Sequence, residues 1–430
     1  MACTPSEVVA CRGDQAVRCN AAGNNYDLVQ CQLGCDVAAG GCLPCSTNQQ
    51  CDNPTPVCDG GEHQCRACVR DDECASQACE AGACVAETGV VYAAPGGVAT
   101  SGCAQGNPCS LDGVIQVAST AAPSPIVRLL PGVYMTGLQV LTGASLTIVA
   151  TGAVLGASST LKVKNGADVQ IRGIAIRLSG AFIECGGVGM PHGSLSLSDS
   201  SVALTNTSSN NINVLNCTVR LSRSHLTLAP ASGSVVLGSN DDSTVEADRV
   251  LFDLANPQPL DVGQVSIFGK RVSYKITNSV FDRMSITFAT SDTTAPGSQL
   301  YFVYNTFVFH SDATTGPLQL GPNPASFRDI RFENNIMLTL GGSSDTFFKP
   351  DCCTLQNNIL FPQTSVVGAG NNIADPQLVD AANGDYHLKP TSPAVNAAMS
   401  SVGLTTDHDF EGKPRPQGAQ SDIGAFELAP

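Results

Sequence analysis

Asparagine residues recur inside segments of the sequence that otherwise resemble β-strands. In FENNIML, residues 332–338, two asparagines separate Phe332 from Ile336, although asparagine is a poor strand former. The pattern is repeated in YKITNSVF, YFVYNTFVF and CTLQNNILF, at intervals of 23 to 29 residues. The recurring residues are Asn216, Asn278, Asn305, Asn334 and Asn357. A repeat of this length restricts the chain to architectures built from stacked units.

Residues 126–375 are short strand-like segments separated by Gly, Asn, Ser and Asp. Several short strands in each period of about 20 to 30 residues are typical of a parallel β-solenoid, whose coils stack about 4.8 Å apart. The same tight turn then recurs in every coil, and asparagine tolerates the left-handed backbone that such a turn needs. We expect a structural ladder of amide hydrogen bonds, with Asn334, Asn335 or both at one corner. Asn305 should lie below them and Asn357 above.

The cysteines fall into two groups of even size. Fourteen of the 20 lie between Cys3 and Cys84, and the remaining six are Cys103, Cys109, Cys185, Cys217, Cys352 and Cys353. Even numbers suit a fully disulfide-bonded chain in an oxidising compartment. Zinc binding is the alternative, but the cysteine spacing is uneven and His63 is the single histidine among the first 100 residues. If Cys103 pairs with Cys109 and Cys185 with Cys217, then Cys352 and Cys353 are left for each other.

Charge and hydropathy exclude two classes of partner. The net charge is -15, which argues against nucleic acid, because phosphates need a basic surface. No run of 18 apolar residues is present, so we expect no membrane span. The first ten residues, MACTPSEVVA, lack the apolar segment of a signal peptide. We therefore interpret the chain as the mature form of a secreted or cell-surface protein.

Composition also divides the chain into four segments. Residues 1–87 contain too few hydrophobic residues for a core, so we predict a disulfide-rich, loop-dominated domain. Residues 88–125 are predicted to be a linker and the N-terminal cap of the solenoid, with a short helix after Ser110 as its N-cap. Residues 126–375 are the predicted coils, and residues 376–430 are a closing segment.

The sequence resembles a known superfamily. IVRLLPGVY, the asparagine turns and the C-terminal motifs resemble bacterial right-handed parallel β-helix proteins of the pectin-lyase-like superfamily. The tail, with GDYHL at 384–388 and DIGAFE at 422–427, is similar to the end of bacterial surface proteins called choice-of-anchor Q. The resemblance covers residues 90–430. It implies an all-β fold, in which the disulfide-rich domain is followed along the chain by a right-handed parallel β-helix (solenoid).

The resemblance also suggests where to look for catalysis. Polysaccharide lyases of this fold hold calcium on clustered carboxylates and use a Lys or Arg as the base, whose pKa must be lowered. The candidate residues here are Lys270, Arg271, Asp282, Arg283, Lys349 and Asp351. The sequence shows no cluster of three carboxylates at coil spacing beside them, so solvated positions on strands and turns are the favoured interpretation.

Two further groups of polar residues are candidates for catalysis. Asp241 and Asp242 could be the paired acids of a hydrolase with His192, but adjacent strand residues face opposite sides of a sheet. In the tail, Asp407, His408 and Arg415 stand among several carboxylates. We interpret the tail group as structural, because an arginine can hold buried carboxylates together.

These observations favour a noncatalytic extracellular or cell-surface protein. A rigid β-helix rod would present the Cys-rich domain, self-associate, or bind an extracellular or cell-surface polysaccharide, without a cofactor. The absence of Trp and the presence of only 7 Tyr count modestly against stacking of sugar rings. The alternative is a polysaccharide lyase or another carbohydrate-active enzyme, for which calcium would be the cofactor.

Overall fold

The computed structural model describes most of the chain. The described residues are 3–31, 33–38, 40–43, 45–61, 63–156, 159–178, 183–204, 212–228, 237–239, 242–255, 257, 263–268, 271–289, 297–310, 318–320, 327–340, 353–363, 368–401, 404 and 406–429. They form two compact units, Met1–Val91 and Tyr92–Pro430. The division falls inside the segment predicted to be a linker.

The N-terminal unit is made of short antiparallel pieces. Its largest sheet contains Val8–Arg12, Gln15–Cys19 and Tyr26–Gln30. Three hairpins follow, with the strand pairs Cys35–Asp36 and Gly41–Cys42, Val57–Cys58 and Cys65–Arg66, and Cys79–Glu80 and Ala83–Cys84. Single turns of 3-10 helix lie at Asn48–Gln50, Asp71–Glu73 and Glu87–Gly89.

Disulfides hold this unit together. The described bonds are Cys3–Cys19, Cys11–Cys35, Cys31–Cys42, Cys45–Cys58, Cys51–Cys65, Cys68–Cys79 and Cys74–Cys84. Apart from cysteines, its buried apolar residues in the described part are Ala16, Val17, Val57, Ala78 and Val90. Crosslinks thus replace a core, because five small side chains bury little apolar surface. The disulfide-rich, loop-dominated domain predicted from the cysteine count is confirmed.

The predicted helix lies near the start of the second unit. The strand Val90–Ala93 leads into it, and the helix Leu111–Thr120 starts at Ser110, whose hydroxyl accepts a hydrogen bond from the Gly113 amide at 3.1 Å. Leu111, Val114, Ile115 and Ala118 are its buried apolar residues. The helix packs against the first strands of the solenoid.

Beyond the helix the chain forms three parallel ladders of strands, which confirms the predicted parallel β-helix. The first ladder consists of Ile126–Leu129, Ser145–Val149, Asp168–Arg172, Gly193–Ser198, Cys217–Leu228, Thr244–Leu254, Ser273–Thr277, Ser298–Val303, Phe327–Glu333 and Thr354–Gln356. The second consists of Gly132–Tyr134, Ala153–Leu155, Ala175–Leu178, Ser201–Leu204, Val280–Asp282, Thr306–Phe309, Ile336–Thr339 and Ile359–Phe361. The C-terminal ends of the long strands Cys217–Leu228 and Thr244–Leu254 also belong to it. The third contains Leu138–Val140, Leu161–Val163, Ile183–Gly186, Ile212–Leu215 and Leu237–Ser239, and a separate sheet of Gly263–Phe268, Met284–Ala289 and Leu318–Leu320.

Apolar side chains fill the interior of the coils, where they stack on the equivalent residues of neighbouring coils. The rings of Phe252, Phe281 and Phe307 stack in sequence at centroid distances of 4.5 and 4.7 Å. Phe302 stacks on Phe332 at 4.9 Å. Because side chains alternate along a strand, the residues between these point outward. Burial of the aromatic columns supplies the main stabilisation of this unit.

Each coil bends sharply between the first and second ladders. At this corner one residue in each of the eight coils from Asp168–Arg172 onward has a positive φ between 46° and 75°, and these residues are Gly173, Asp199, Arg223, Arg249, Asn278, Tyr304, Asn334 and Asn357. The residue that follows each of them is buried inside the coil. We call these following residues the corner column: Ile174, Ser200, Ser224, Val250, Ser279, Asn305, Asn335 and Asn358.

Hydrogen bonds connect the corner column along the solenoid. The backbone N–H of Ser279 donates to Asn305 Oδ1 at 2.9 Å. The backbone N–H groups of Asn305 and Asn335 donate to Oδ1 of the next asparagine in the column, at 2.8 and 2.9 Å. Asn358 continues the column by donating to Asn371 Oδ1 at 2.6 Å. Each side-chain oxygen therefore satisfies a buried backbone N–H of the previous coil.

The positions of the predicted ladder residues differ from the expected single column. Asn305 stacks with Asn335, whereas Asn334 stacks with Asn357 at 2.8 Å in the neighbouring positive-φ position. Asn278 is also in that position, where it donates to Asp248 Oδ1. Asn216 lies outside both columns, because it follows a strand of the third ladder. Its amide donates to the Met190 carbonyl.

The closing segment covers the side of the solenoid. It contains the hairpin Leu378–Asp380 and Asp385–Leu388, joined by the 3-10 turn Ala381–Asn383. Its apolar residues form one cluster with outward residues of the second ladder, whose members include Val308, Ile336, Leu338, Ile359, Tyr386, Ile423 and Phe426. The segment therefore packs along the outer face of that ladder.

A buried ion pair fixes the fold of this segment. Arg415 Nη1 donates to Glu427 Oε1 at 2.5 Å, and both side chains are 0% exposed. Burial lowers the pKa of Arg415 and raises that of Glu427, because water is excluded from both groups. The arginine also donates to the carbonyls of His408, Asp422 and Gly424. The contacts fit the structural interpretation of the tail residues.

Candidate functional site

The outer face of the first ladder carries a polar groove. Strand register aligns Gln170, Ser196, Arg220, Glu246 and Lys275 in one column across successive coils. A parallel column contains Arg172, Ser198, Ser222, Asp248 and Thr277. Together they line a cavity of about 720 Å³, and Leu404, Thr406, Asp407 and His408 of the closing segment form its wall. We call this cavity the first-ladder groove.

Opposite charges stack along the first column. Arg220 Nε donates to Glu246 Oε2 at 2.8 Å, and Lys275 Nζ lies 4.0 Å from Glu246 Oε1. The parallel register brings these three residues of consecutive coils side by side, since neighbouring strands are only about 4.8 Å apart. The Glu246 carboxylate thus forms ion pairs with both Arg220 and Lys275 on the floor of the groove.

A histidine links the floor of the groove to its wall. His408 Nε2 lies 2.8 Å from Asp248 Oδ2, and His408 Nδ1 lies 2.5 Å from Asp407 Oδ1. The hydrogen bond with His408 lowers the pKa of Asp407. Asp248 Oδ1 accepts hydrogen bonds from Thr277 Oγ1 and Asn278 Nδ2 at 2.8 and 2.9 Å. This carboxylate therefore already has several donors.

Arg223 lies at the edge of the groove, at the corner between the first and second ladders. Its Nε and Nη2 donate to the two carboxylate oxygens of Asp199 at 2.7 and 2.5 Å. The hydrogen bond to Asp199 raises the pKa of Arg223. A proton-abstracting base needs the opposite shift, so Arg223 is suited to holding a ligand rather than to removing a proton.

The candidate catalytic residues that the structure describes, Arg271, Asp282 and Arg283, do not converge in the groove. Arg271 stands before a strand of the first ladder and forms a two-pronged ion pair with Asp242, at 2.5 Å for each contact. That hydrogen bond lowers the pKa of Asp242. Asp282 ends a strand of the second ladder and contacts His310 Nε2 at 2.8 Å, and Arg283 is the next residue. Because these positions lie at different corners of one coil, they cannot act together on one substrate atom.

Several candidate residues lie outside the described part of the chain. They are Lys270, Lys349, Asp351, Asp241 and Cys352. Cys353 is disulfide-bonded. Cys103 pairs with Cys109, and Cys185 pairs with Cys217, as considered from the sequence. His192 contacts Asn216 Oδ1 and Thr218 Oγ1 at 3.2 and 3.0 Å.

The groove residues could have been identified from the repeat. TVRLS, TVEAD and SYKIT are first-ladder strands, and their alternate polar residues place Arg220, Glu246 and Lys275 at equivalent positions. His408 gives no such signal, since it is 160 residues from Asp248. Its place depends on the path of the closing segment.

The described residues offer little for a metal ion. Within them, the clusters of three potential ligands consist of cysteines, Cys45 with Cys51 and Cys65, and Cys68 with Cys74 and Cys79. All six are in disulfides and provide no thiolate. Among the described helices none is long and apolar enough to cross a membrane.

Comparison with known proteins assigns this chain to no family. No protein-family model matches the sequence, and no curated protein matches it. The resemblance of the tail to choice-of-anchor Q proteins therefore stays a prediction. Among solved structures, the chain is similar to a crystal structure of a pectate lyase, with 14% identity and a TM-score of 0.38. The match covers 80% of this chain and 100% of the lyase. The fold is established by the strand ladders themselves.

Proposed function

We propose that this protein is an extracellular, noncatalytic carbohydrate-binding protein whose first-ladder groove binds an acidic polysaccharide. The observation that carries the proposal is the groove itself. Its volume of about 720 Å³ is in the usual range of ligand sites. Hydroxyl and amide groups of Ser196, Ser222, Thr277 and Gln170 line it beside charged side chains. Such groups suit a chain of hydroxylated, carboxylated sugars.

The charge of the groove differs from that of the whole protein. Its lining holds four Arg and Lys side chains and three carboxylates, whereas the chain has 22 basic and 37 acidic residues. An anionic polymer is repelled by a protein with a net charge of -15 unless a local surface is less acidic. The groove provides such a surface among the described residues.

Two features favour binding over catalysis. Arg220 and Lys275 share Glu246, and Arg223 is paired with Asp199. The hydrogen bond with Asp199 raises the pKa of Arg223, which opposes general-base catalysis by this residue. The Asp248 carboxylate, which could hold calcium, is occupied by Thr277 and Asn278.

Disulfides support the extracellular part of the proposal. The described bonds include seven in the N-terminal unit, and such density is typical of proteins in oxidising compartments. Presentation of the Cys-rich domain and self-association stay predictions. Light scattering of the purified chain would measure the second of these.

Charge-changing variants in the groove test the binding function. We expect polygalacturonate to retard the protein in affinity electrophoresis, and uncharged dextran to retard it much less. Lys275→Gln should weaken binding roughly 3- to 10-fold, because it removes one charged contact. Glu246→Gln should strengthen binding, because it releases both Arg220 and Lys275 to the polymer.

Arg177→Gln is the matched control, since Arg177 is an exposed cation on a strand of the second ladder. It removes the same charge without touching the groove. Equal effects of Lys275→Gln and Arg177→Gln, or equal retardation by both polymers, would contradict the proposal.

Polysaccharide lyase activity is the second candidate. It is favoured by the presence of Lys275 and His408 on the same groove. Incubation with uronate polymers and calcium, followed by ultraviolet absorbance, detects the unsaturated product. Product formed by the native protein and abolished in Lys275→Gln would replace the noncatalytic proposal.

A further inference from the structure

A second cavity lies at the corner beside the first-ladder groove. Its volume is about 610 Å³, and its lining includes Asp199, Arg223, His225, Arg249, Phe410 and Glu411. Arg223 lines both cavities. The wall also continues from one to the other, because Asp407 and His408 border the groove and Phe410 and Glu411 border this cavity. We call the second cavity the corner cavity.

The positive-φ corner brings charged residues of successive coils together. Asp199, Arg223 and Arg249 occupy this position in three consecutive coils, with φ values of 51°, 47° and 57°. Their side chains therefore leave the backbone along one edge of the solenoid. Asparagine occupies the same position in the next coil, as Asn278.

The guanidinium of Arg249 has an incomplete set of hydrogen bonds. Its side chain is 16% exposed and its Nε lies 3.5 Å from Asp248 Oδ2, beyond a good hydrogen bond. Among the described residues this buried Nε has no hydrogen-bond partner. A buried donor without an acceptor is costly. Arg249 also lines the cavity, and a guanidinium can bind a carboxylate through its other N–H donors.

The acids of the corner cavity are already neutralised. Asp199 is held by both prongs of Arg223, and Glu411 contacts His387 and Lys413 at 3.1 and 2.7 Å. The remaining lining is suited to a sugar. Ser201 provides a hydroxyl, and Phe410, which packs on Phe426 at 5.1 Å, provides an apolar surface.

We propose that the corner cavity is a subsite for a carboxylated sugar unit, bound through the guanidinium of Arg249 and continuous with the first-ladder groove. This inference rests on the proposed binding of an acidic polysaccharide. A short oligosaccharide would occupy the groove alone, and a longer one would also reach Arg249. Affinity should therefore rise with chain length.

Calorimetric titration with oligogalacturonates of increasing length tests the subsite. The native protein should bind long oligomers roughly 10-fold more tightly than short ones, as expected for one added charged contact. Arg249→Asn should bind long and short oligomers equally, at the native affinity for short ones. Asparagine suits the positive φ, as at Asn278, so the coil should fold normally.

Three results separate the two proposals. Loss of the length dependence in Arg249→Asn, with its retention in Arg177→Gln, would support the subsite. Binding of all oligomers by Arg249→Asn as by the native protein would overturn the subsite and leave the groove proposal intact. If the native protein binds no oligomer, both proposals fail. Thermal unfolding of each variant shows whether the fold is retained.

Discussion

The two units of the protein solve the same problem of stability by different means. In the N-terminal unit, disulfides connect hairpins whose strands are as short as two residues. In the solenoid, aromatic columns and hydrogen-bonded asparagines connect each coil to the next. Crosslinks act on the unfolded state by reducing its entropy, whereas burial acts on the folded state. The first unit therefore depends mainly on its redox environment. The second unit also contains the disulfides Cys103–Cys109 and Cys185–Cys217, but it depends mainly on its packing.

The solenoid itself contains a similar contrast. In the coils nearer the helix, the corner column uses serine, as at Ser200 and Ser224, whose hydroxyls each accept one backbone N–H. In the later coils it uses asparagine. The serine hydroxyls donate to carbonyls two residues earlier in their own coil, whereas the side-chain amides of Asn305, Asn335 and Asn358 donate both to a carbonyl of the previous coil and to the next asparagine of the column. Replacing an asparagine should therefore cost more than replacing a serine.

The largest expected effect is that reduction of the disulfides unfolds the N-terminal unit but not the solenoid. With a strong reductant, the N-terminal unit should lose its structure, because each lost disulfide of a small domain costs about 2 to 5 kcal/mol. The ladders should stay folded. Hydrogen exchange measured by mass spectrometry should show loss of protection in residues 3–84 and retained protection in the strands of the second ladder. Protection that persists in residues 3–84 would show that this unit has sufficient packing of its own.

A smaller effect is expected from the corner column. Asn335→Ala removes the oxygen that accepts from the Asn305 amide and the donor to the Phe302 carbonyl. Leaving these buried groups unpaired should lower the free energy of unfolding of the solenoid by about 2 to 4 kcal/mol. Denaturant unfolding followed by circular dichroism measures this change.

Ser279→Ala is the matched comparison, because Ser279 Oγ accepts from the Val250 amide in the same column. It should cost roughly 1 kcal/mol. A Ser279→Ala variant as unstable as Asn335→Ala would show that the amide ladder adds nothing to the serine arrangement.

The smallest effect concerns an acid-sensitive contact in the N-terminal unit. The hydrogen bond from Arg66 lowers the pKa of Glu73 from 4.5 to about 2, and the amides of Val69 and Arg70 also donate to this carboxylate. A lowered pKa in the folded state stabilises it fully above about pH 4.5, and this contribution is lost as the pH falls toward 2. Glu73→Gln should abolish that part of the pH dependence, with a loss of roughly 1 kcal/mol at neutral pH.

Hydrogen exchange at residues 66–79 between pH 5 and pH 2.5 measures this loss. Asp72→Asn is the control, since Asp72 is exposed and its ion-pair partner within the described part of the chain is the exposed Arg70, at 3.1 Å. If Asp72→Asn flattened the pH dependence as much as Glu73→Gln, the Arg66–Glu73 contact would not be its cause.

The sequence repeat predicts that the coils share a corner, but it does not predict which residues occupy that corner. The spacing of the asparagine segments predicts the solenoid and its recurring corner. It does not decide which residue of Asn334 and Asn335 enters the coil, because either can adopt a positive φ. Arg223 and Arg249 also occupy that corner inside long strands, where propensity alone would predict extended backbone.

The sequence by itself determined the class of each unit, since cysteine density excludes a conventional core and a period of about 20 to 30 residues requires stacked coils. Only the tertiary structure decided where the groove lies. Parallel register aligns Arg220 with Glu246, and lateral packing of the closing segment brings His408 to Asp248. Such contacts join residues far apart in the chain, and local sequence holds no information about them because packing of the whole unit selects the partner.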